Sequence, residues 1–240
     1  MKLGPDVPLI ASLLFIFSVI FCVFSFYWIA KGSHLLSAKL NAIKISIGIT
    51  FWLFIQMLLT QTGIYSSGMT TVPPKIILFG VLPAFIAIII IFNTRKGKVF
   101  IDSLPLKRVT TIHIVRIFVE VGLYYLFIGK AIPEIMTFSG QNFDILAGIT
   151  APFIIYFGLY KKTLNKHLIL IWNIVSLGLL SYIILLAILS APSPFQQVGF
   201  DQPNIAIFYN PYSWLPTLIV PMVIFMHLVA IRQLIFKNEE

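Results

Sequence analysis

The 240 residues are 59% hydrophobic and 10% charged, with a mean hydropathy of +0.97 and a formal net charge of +9. Soluble chains carry roughly 25% charged residues, so this composition excludes a soluble fold and indicates an integral membrane protein. The excess positive charge sits in small clusters at the ends of apolar stretches, which suits orientation in a bilayer and anionic lipid headgroups and points away from nucleic acid as a partner.

One helical span needs about 20 apolar residues. On that rule the chain is an all-α membrane protein, one domain of seven transmembrane helices at about 8–30, 45–65, 75–93, 109–129, 143–160, 168–190 and 213–235. The first carries no charge from Val7 to Ala30 and ends on Tyr27, Trp28 and Lys31, side chains suited to the interface, so it reads as a plain anchor. Cys22, the single cysteine, stands among Phe21, Val23 and Phe24; alone it makes no internal disulfide and no thiolate metal cluster.

The connections alternate in charge. Thirteen Lys and Arg fall after the first, third and fifth helices and at the C-terminal end, against three, Lys2, Lys75 and Lys130, on the other side. Positive residues stay cytoplasmic, which places the N-terminus outside and the C-terminus in the cytoplasm. Segment 99–108 mixes apolar and charged residues ahead of the redirection at Pro105 and is expected in the cytoplasmic interface. Segments 130–142 and 191–212 are too apolar for free loops and are expected to cap the outer mouth as short helical or re-entrant pieces. Pro83, Pro152, Pro216 and Pro221 each free a backbone carbonyl inside a span. The spacing of Pro74 and Pro83 echoes that of Pro211 and Pro221, a hint of a three-plus-one-plus-three parallel repeat.

Polar residues at membrane depth mark the candidate site, because a charge in hydrocarbon costs several kcal/mol unless it is paired or lines a wet cavity. His113, Arg116 and Glu120 are spaced three and four apart, one stripe of the helix at 109–129. Two readings of that stripe stand: a structural ion pair in which Glu120 neutralises Arg116, or a cavity wall where Arg116 holds an anionic group and Glu120 exchanges a proton. Counting inward from the helix ends puts His227 at nearly the depth of Arg116, with Asn173 closer to the cytoplasm and Gln56 near the middle. Together these residues can line one cavity; singly, each also suits plain interhelical hydrogen bonding. Asp144 opens the helix at 143–160, either as its cap or as a lining residue of the outer mouth. Ala147 and Ala151 form a small-xxx-small pair that permits close packing of that helix.

No H-E-x-x-H, G-x-S-x-G, paired-aspartate motif, P-loop or G-x-G-x-x-G is present, and no metal or other cofactor is expected. The last helix holds no lysine for a retinal Schiff base. Haem ligation would require His113 and His227 to face each other across the iron.

Three stretches, Asn142 to Pro152, Ser190 to Gln196 and Ser213 to Pro221, resemble segments of uncharacterised bacterial seven-helix integral membrane proteins. The resemblance implies a multi-pass protein of the bacterial inner membrane and brings no activity. The function expected from the residues is binding or transport of a small polar or lipid-derived molecule, by the chain alone or as a homo-oligomer. Its path would be a mid-membrane polar cavity lined by the helices at 45–65, 109–129, 168–190 and 213–235. Two alternatives stand beside it: a membrane-embedded enzyme acting on a lipid or isoprenoid, with Glu120 or His227 as the acid-base group, and an accessory or scaffold subunit of a membrane complex.

Overall fold

The computed structural model describes residues 7–236, among which every regular element is a helix and none is a strand. Lys2 and Lys237, both part of the charge count, lie outside the described residues. Eight helices follow in order: α1 (Leu9–Lys31), α2 (Leu36–Gln61), α3 (Ile77–Asn93), α4 (Arg95–Asp102), α5 (Leu106–Ile128), α6 (Ile145–Tyr160), α7 (Lys166–Ser190) and α8 (Leu215–Phe236). Five of them, α1, α2, α5, α7 and α8, are long and apolar enough to cross a membrane; α3 and α4 together make a sixth candidate, bent by 89°. The helix expected at 143–160 is the shorter apolar α6, so length and composition support five or six spans and leave the expected seventh undecided.

Local chemistry sets the helix ends. Helix α2 begins at Leu36, nine residues before the expected 45. Ala38, Ala42 and Ser46 recur every four residues as a buried stripe of small side chains, while Lys39, Asn41 and Lys44 point outward, so lysines expected in a linker form the exposed face of the first turns. At its other end Gly63 takes a φ of 76°. The Gly63 N–H donates to Thr60 O at 3.1 Å and the Ile64 N–H to Leu59 O at 3.2 Å, closing the helix short of 65. The 89° bend between α3 and α4 falls at Thr94, whose backbone is extended and whose hydroxyl accepts from the Gly97 N–H at 3.2 Å.

Helix α4 turns sharply away from α3 and is fastened to α8. Arg232 donates to both carboxylate oxygens of Asp102, at 2.8 and 2.9 Å, and Gln233 Nε2 donates to the carbonyls of Ile101 (2.6 Å) and Leu104 (2.9 Å). At the same end Arg108 lies over the Trp28 ring and donates to its carbonyl at 2.6 Å. The opposite end is closed by the segments 130–142 and 191–212, which hold short 3-10 turns at Glu134–Met136 and Ala206–Phe208 and bond to one another. Gln202 Nε2 donates to Ile132 O at 2.5 Å, and the Ile205 N–H donates to Ala131 O at 3.0 Å. These apolar connections are packed against protein, which satisfies their backbone groups.

The prolines act as their chemistry requires. Pro83 and Pro221 lack an N–H, so Phe79 O and Thr217 O lose the α-helical donor four residues on. Side chains of α2 take both carbonyls: Gln56 Nε2 donates to Phe79 O at 3.2 Å and Trp52 Nε1 to Thr217 O at 3.0 Å. Each proline follows a π-helical stretch, Ile77–Val81 in α3 and Leu215–Ile219 in α8. Pro73 stands before the first stretch at the spacing that Pro211 keeps before the second, so Pro73 rather than Pro74 is the register match. The two stretches meet at Gly80, where an added Cβ would fall on the Thr217 methyl group. Trp52→Phe, which keeps an aromatic ring but removes the indole N–H, is expected to lower stability by about 1–3 kcal/mol, chiefly by leaving Thr217 O unpaired. Thermal unfolding in mild detergent checks this, and an unchanged midpoint would mean that the carbonyl has another donor.

Candidate functional site

The stripe read on α5 is buried as a unit. His113, Arg116, Glu120 and Leu123 face inward, while Ile114, Phe118, Val121 and Tyr125 are only partly covered. A 3-10 turn at Ile112–Ile114 tightens α5 around His113, a local departure that often accompanies a functional position.

The ion pair of the site differs from the expected one. Arg116 Nε lies 3.2 Å from Asp144 Oδ2, across the α5–α6 interface, and Arg116 Nη2 donates to Ser176 O on α7 at 3.0 Å. Glu120, one turn along α5, is held by a neutral partner: Asn142 Nδ2 donates to Glu120 Oε2 at 2.6 Å. The same amide group donates to Met136 O at 3.0 Å, and Asn142 Oδ1 accepts from the Asp144 N–H at 3.0 Å. Asp144 therefore does not cap α6 with its side chain; Asn142 supplies the turn ahead of the helix and frees the aspartate to meet Arg116. Gly148 makes this reach feasible. An added Cβ there would sit 2.9 Å from Ile117 Cγ1 and 3.2 Å from Arg116 Cβ, so only glycine lets α6 come this close, and Ala147 and Ala151 are buried beside it.

Toward the other end of the stripe, the His113 and His227 rings stack with centroids 3.8 Å apart and planes 20° from parallel. That contact leaves no room for a macrocycle between them. Trp172 packs edge-on against His113 at 5.6 Å. Asn173 Nδ2 donates to Ile169 O at 2.9 Å, so its Oδ1 is the acceptor for His227 Nδ1–H at 2.9 Å, and His227 Nε2 is left with a lone pair. The sites on α7 that meet α5 and α8, Asn173 and Ser176, are three residues apart on one face. Among the described residues of the cluster, both nitrogens of His113, Arg116 Nε and Nη1, Asp144 Oδ1 and His227 Nε2 are buried without a hydrogen-bond partner, the Arg116–Asp144 contact being an ion pair without hydrogen-bond geometry, and no group of three His, Cys, Asp or Glu is placed to hold a metal ion. Such a concentration of unmet hydrogen bonding is uncommon in a folded interior and needs water, a proton or a ligand to resolve it.

A cavity of about 520 Å³ runs from this cluster toward the end closed by 66–76 and 191–208. Residues of α3, α5, α7 and α8 line it, and Glu120, Asp144 and Ser193 are the polar side chains among them. Glu120 and Asp144 are buried, at 1% and 3% exposure, whereas Val72 and Phe195 at the far end are more than half exposed. The space is thus an apolar passage with carboxyl groups at its inner end, of a size usual for small-molecule sites.

The structure brings His113, Arg116, Glu120, Asp144, Asn173 and His227 together as one connected cluster, and it leaves Gln56 out. Gln56 accepts from the Tyr65 hydroxyl and serves the carbonyl freed by Pro83, so α3 replaces α2 in the cavity wall. Asn142, Trp172 and Ser176 join the site without having been anticipated. The signal for Asn142 was its place two residues before Asp144, the spacing of a side chain that bonds the backbone ahead of a helix.

No curated protein and no solved structure matches the chain. A family model described as "Domain of unknown function (DUF8737)" matches residues 73–235. That stretch runs through α3 to α8 and contains every residue of the cluster, while α1 and α2 precede it. With more than half of its length matched, the chain belongs to this uncharacterised family.

Proposed function

We propose that the chain is a multi-pass membrane protein that binds a lipid-derived molecule in the passage between α3, α5, α7 and α8, with the molecule's polar end at Glu120 and Asp144. The observation that carries this reading is the cavity itself, apolar along its length and ending on two buried carboxyl groups. A small polar solute is the poorer match, because almost every wall atom it would meet is hydrocarbon. A molecule with one long apolar part and one polar end matches both the wall and its inner end.

The same reading places the protein in a bacterial inner membrane with seven crossings, α6 and the bent α3–α4 pair included. The cytoplasmic end is then the basic one, where Arg95, Lys96, Lys98, Lys107 and Arg108 stand, and the cavity opens on the outer side. The matched register of α3 and α8 around their π-helical stretches fits a three-plus-one-plus-three repeat. A reporter fused to the C-terminus and active only in the cytoplasm supports this orientation; activity only outside contradicts it.

Ala187→Phe tests the cavity. Ala187 lines the passage on α7, and a phenyl ring there occupies space that a ligand would need. Native mass spectrometry of protein released from mild detergent is expected to show a bound amphiphile on the wild type, with its occupancy reduced about tenfold or more in Ala187→Phe, a loss of ~1.4 kcal/mol in binding. Equal occupancy in both proteins would remove the cavity from the account.

A further inference from the structure

The inner end of the cavity holds an uneven set of charges. Asp144 and Glu120 line it and Arg116 stands against Asp144 outside the lining, one guanidinium for two carboxyl groups. Arg116 is paired in charge with Asp144, its Nε 3.2 Å from Oδ2, and donates to the Ser176 carbonyl through Nη2. Glu120 receives only the neutral amide of Asn142, on Oε2, and no hydrogen bond to Oε1 is made by any described residue. Asp144 Oδ1, in a side chain more than nine-tenths buried, likewise has no partner.

The other ionisable groups near the cluster do not even the balance. His113 makes no hydrogen bond through either nitrogen, and His227 is bonded to the neutral side chain of Asn173, so neither imidazole is paired with a carboxyl group. Among the described residues, no lysine or arginine lines the passage. A carboxylate without a cation is costly at membrane depth, and the two oxygens left without partners belong to the two carboxyl groups that line the cavity.

We propose that the cavity selects a lipophilic cation, an amphiphile whose positively charged nitrogen sits at Glu120 and Asp144 while its apolar part fills the passage. This rests on the proposed function, since it assigns the ligand's chemical class to the same site. The positive head supplies the second cation that the cluster lacks. A neutral hydroxyl head of equal chain length can donate one hydrogen bond there but brings no charge, and an anionic head meets two carboxyl groups at close range.

Three twelve-carbon probes separate the ideas: dodecyltrimethylammonium, whose charge does not titrate, dodecanol and dodecanoate. Each is titrated below its micellar concentration onto the full chain in lipid nanodiscs, with empty nanodiscs as the reference. On the wild type the cation is expected to bind about tenfold or more tighter than dodecanol, a step of ~1.4 kcal/mol, with dodecanoate weakest. Glu120→Gln is expected to erase the preference for the cation and to leave dodecanol binding unchanged. The wild-type series needs no variant, so the proposal remains testable if Glu120→Gln does not fold.

Equal affinity for the cation and dodecanol, or a preference for dodecanoate, overturns the assignment of a cation. If in that case Ala187→Phe still weakens every probe, the cavity reading survives without it. Binding no greater than to empty nanodiscs for all three probes, unaffected by Ala187→Phe, overturns both.

Discussion

Arg116→Ala is expected to destabilise the protein by about 3–5 kcal/mol, because it strands the buried carboxyl group of Asp144 opposite a vacated cation. Asp144→Leu alone is expected to cost a comparable amount, since it leaves the guanidinium with a backbone carbonyl and, for counter-charge, only Glu120, with which it forms no direct ion pair. The double variant Arg116→Leu with Asp144→Leu removes both charges together and is expected to recover most of the loss. A double-mutant cycle in thermal unfolding therefore shows strong coupling between two residues 28 positions apart in sequence. Additive losses, with no recovery in the double variant, would show that Arg116 and Asp144 act separately. The contrast is the pair Arg232–Asp102, whose side chains are 24% and 42% exposed; there water and salt screen the charges, and the pair contributes at most about 1 kcal/mol.

Asn142→Ala is expected to rank next, at roughly 2–3 kcal/mol. One side chain makes three bonds, to Glu120 Oε2, to Met136 O and from the Asp144 N–H, and one of them ends on a carboxyl group. Asn142→Asp preserves the shape and still accepts from Asp144 N–H, yet it places a third carboxyl group against Glu120 and removes both donated bonds. It is expected to be less stable than Asn142→Ala at neutral pH and to recover toward it as the pH falls and carboxyl groups gain protons. If the two variants unfold at the same midpoint, Glu120 does not depend on that amide.

Helical periodicity went far toward this site. Spacings of three and four put His113, Arg116 and Glu120 on one stripe, and counting from the helix ends placed His227 and Asn173 beside it, where they are found. The partner of Arg116 was not readable from spacing. Glu120 lies one turn away on the same helix, whereas Asp144 reaches Arg116 only because Gly148 lets α6 approach α5 closely and Asn142 takes over the turn. Such a contact depends on how two helices pack, which no single-helix pattern encodes.

The cavity wall was misjudged for a related reason. Gln56 looked like a lining residue because its depth was right. Its use was set by Pro83, which left a carbonyl on the neighbouring helix in need of a donor. The start of α2 was hidden by lysines, which on a helix of small buried side chains simply face outward.

The central claim is that an apolar chain enters the passage and ends at Glu120. A dodecyl probe bearing a diazirine near its polar end, photolysed on the wild-type protein in nanodiscs and mapped by peptide mass spectrometry, tests it directly. The account predicts labels on the lining residues Val119 and Leu123 of α5 and Leu180 and Ile184 of α7, lost in Ala187→Phe. Labels confined to outward-facing side chains such as Ile47 and Phe51 of α2, unchanged by that substitution, would contradict it.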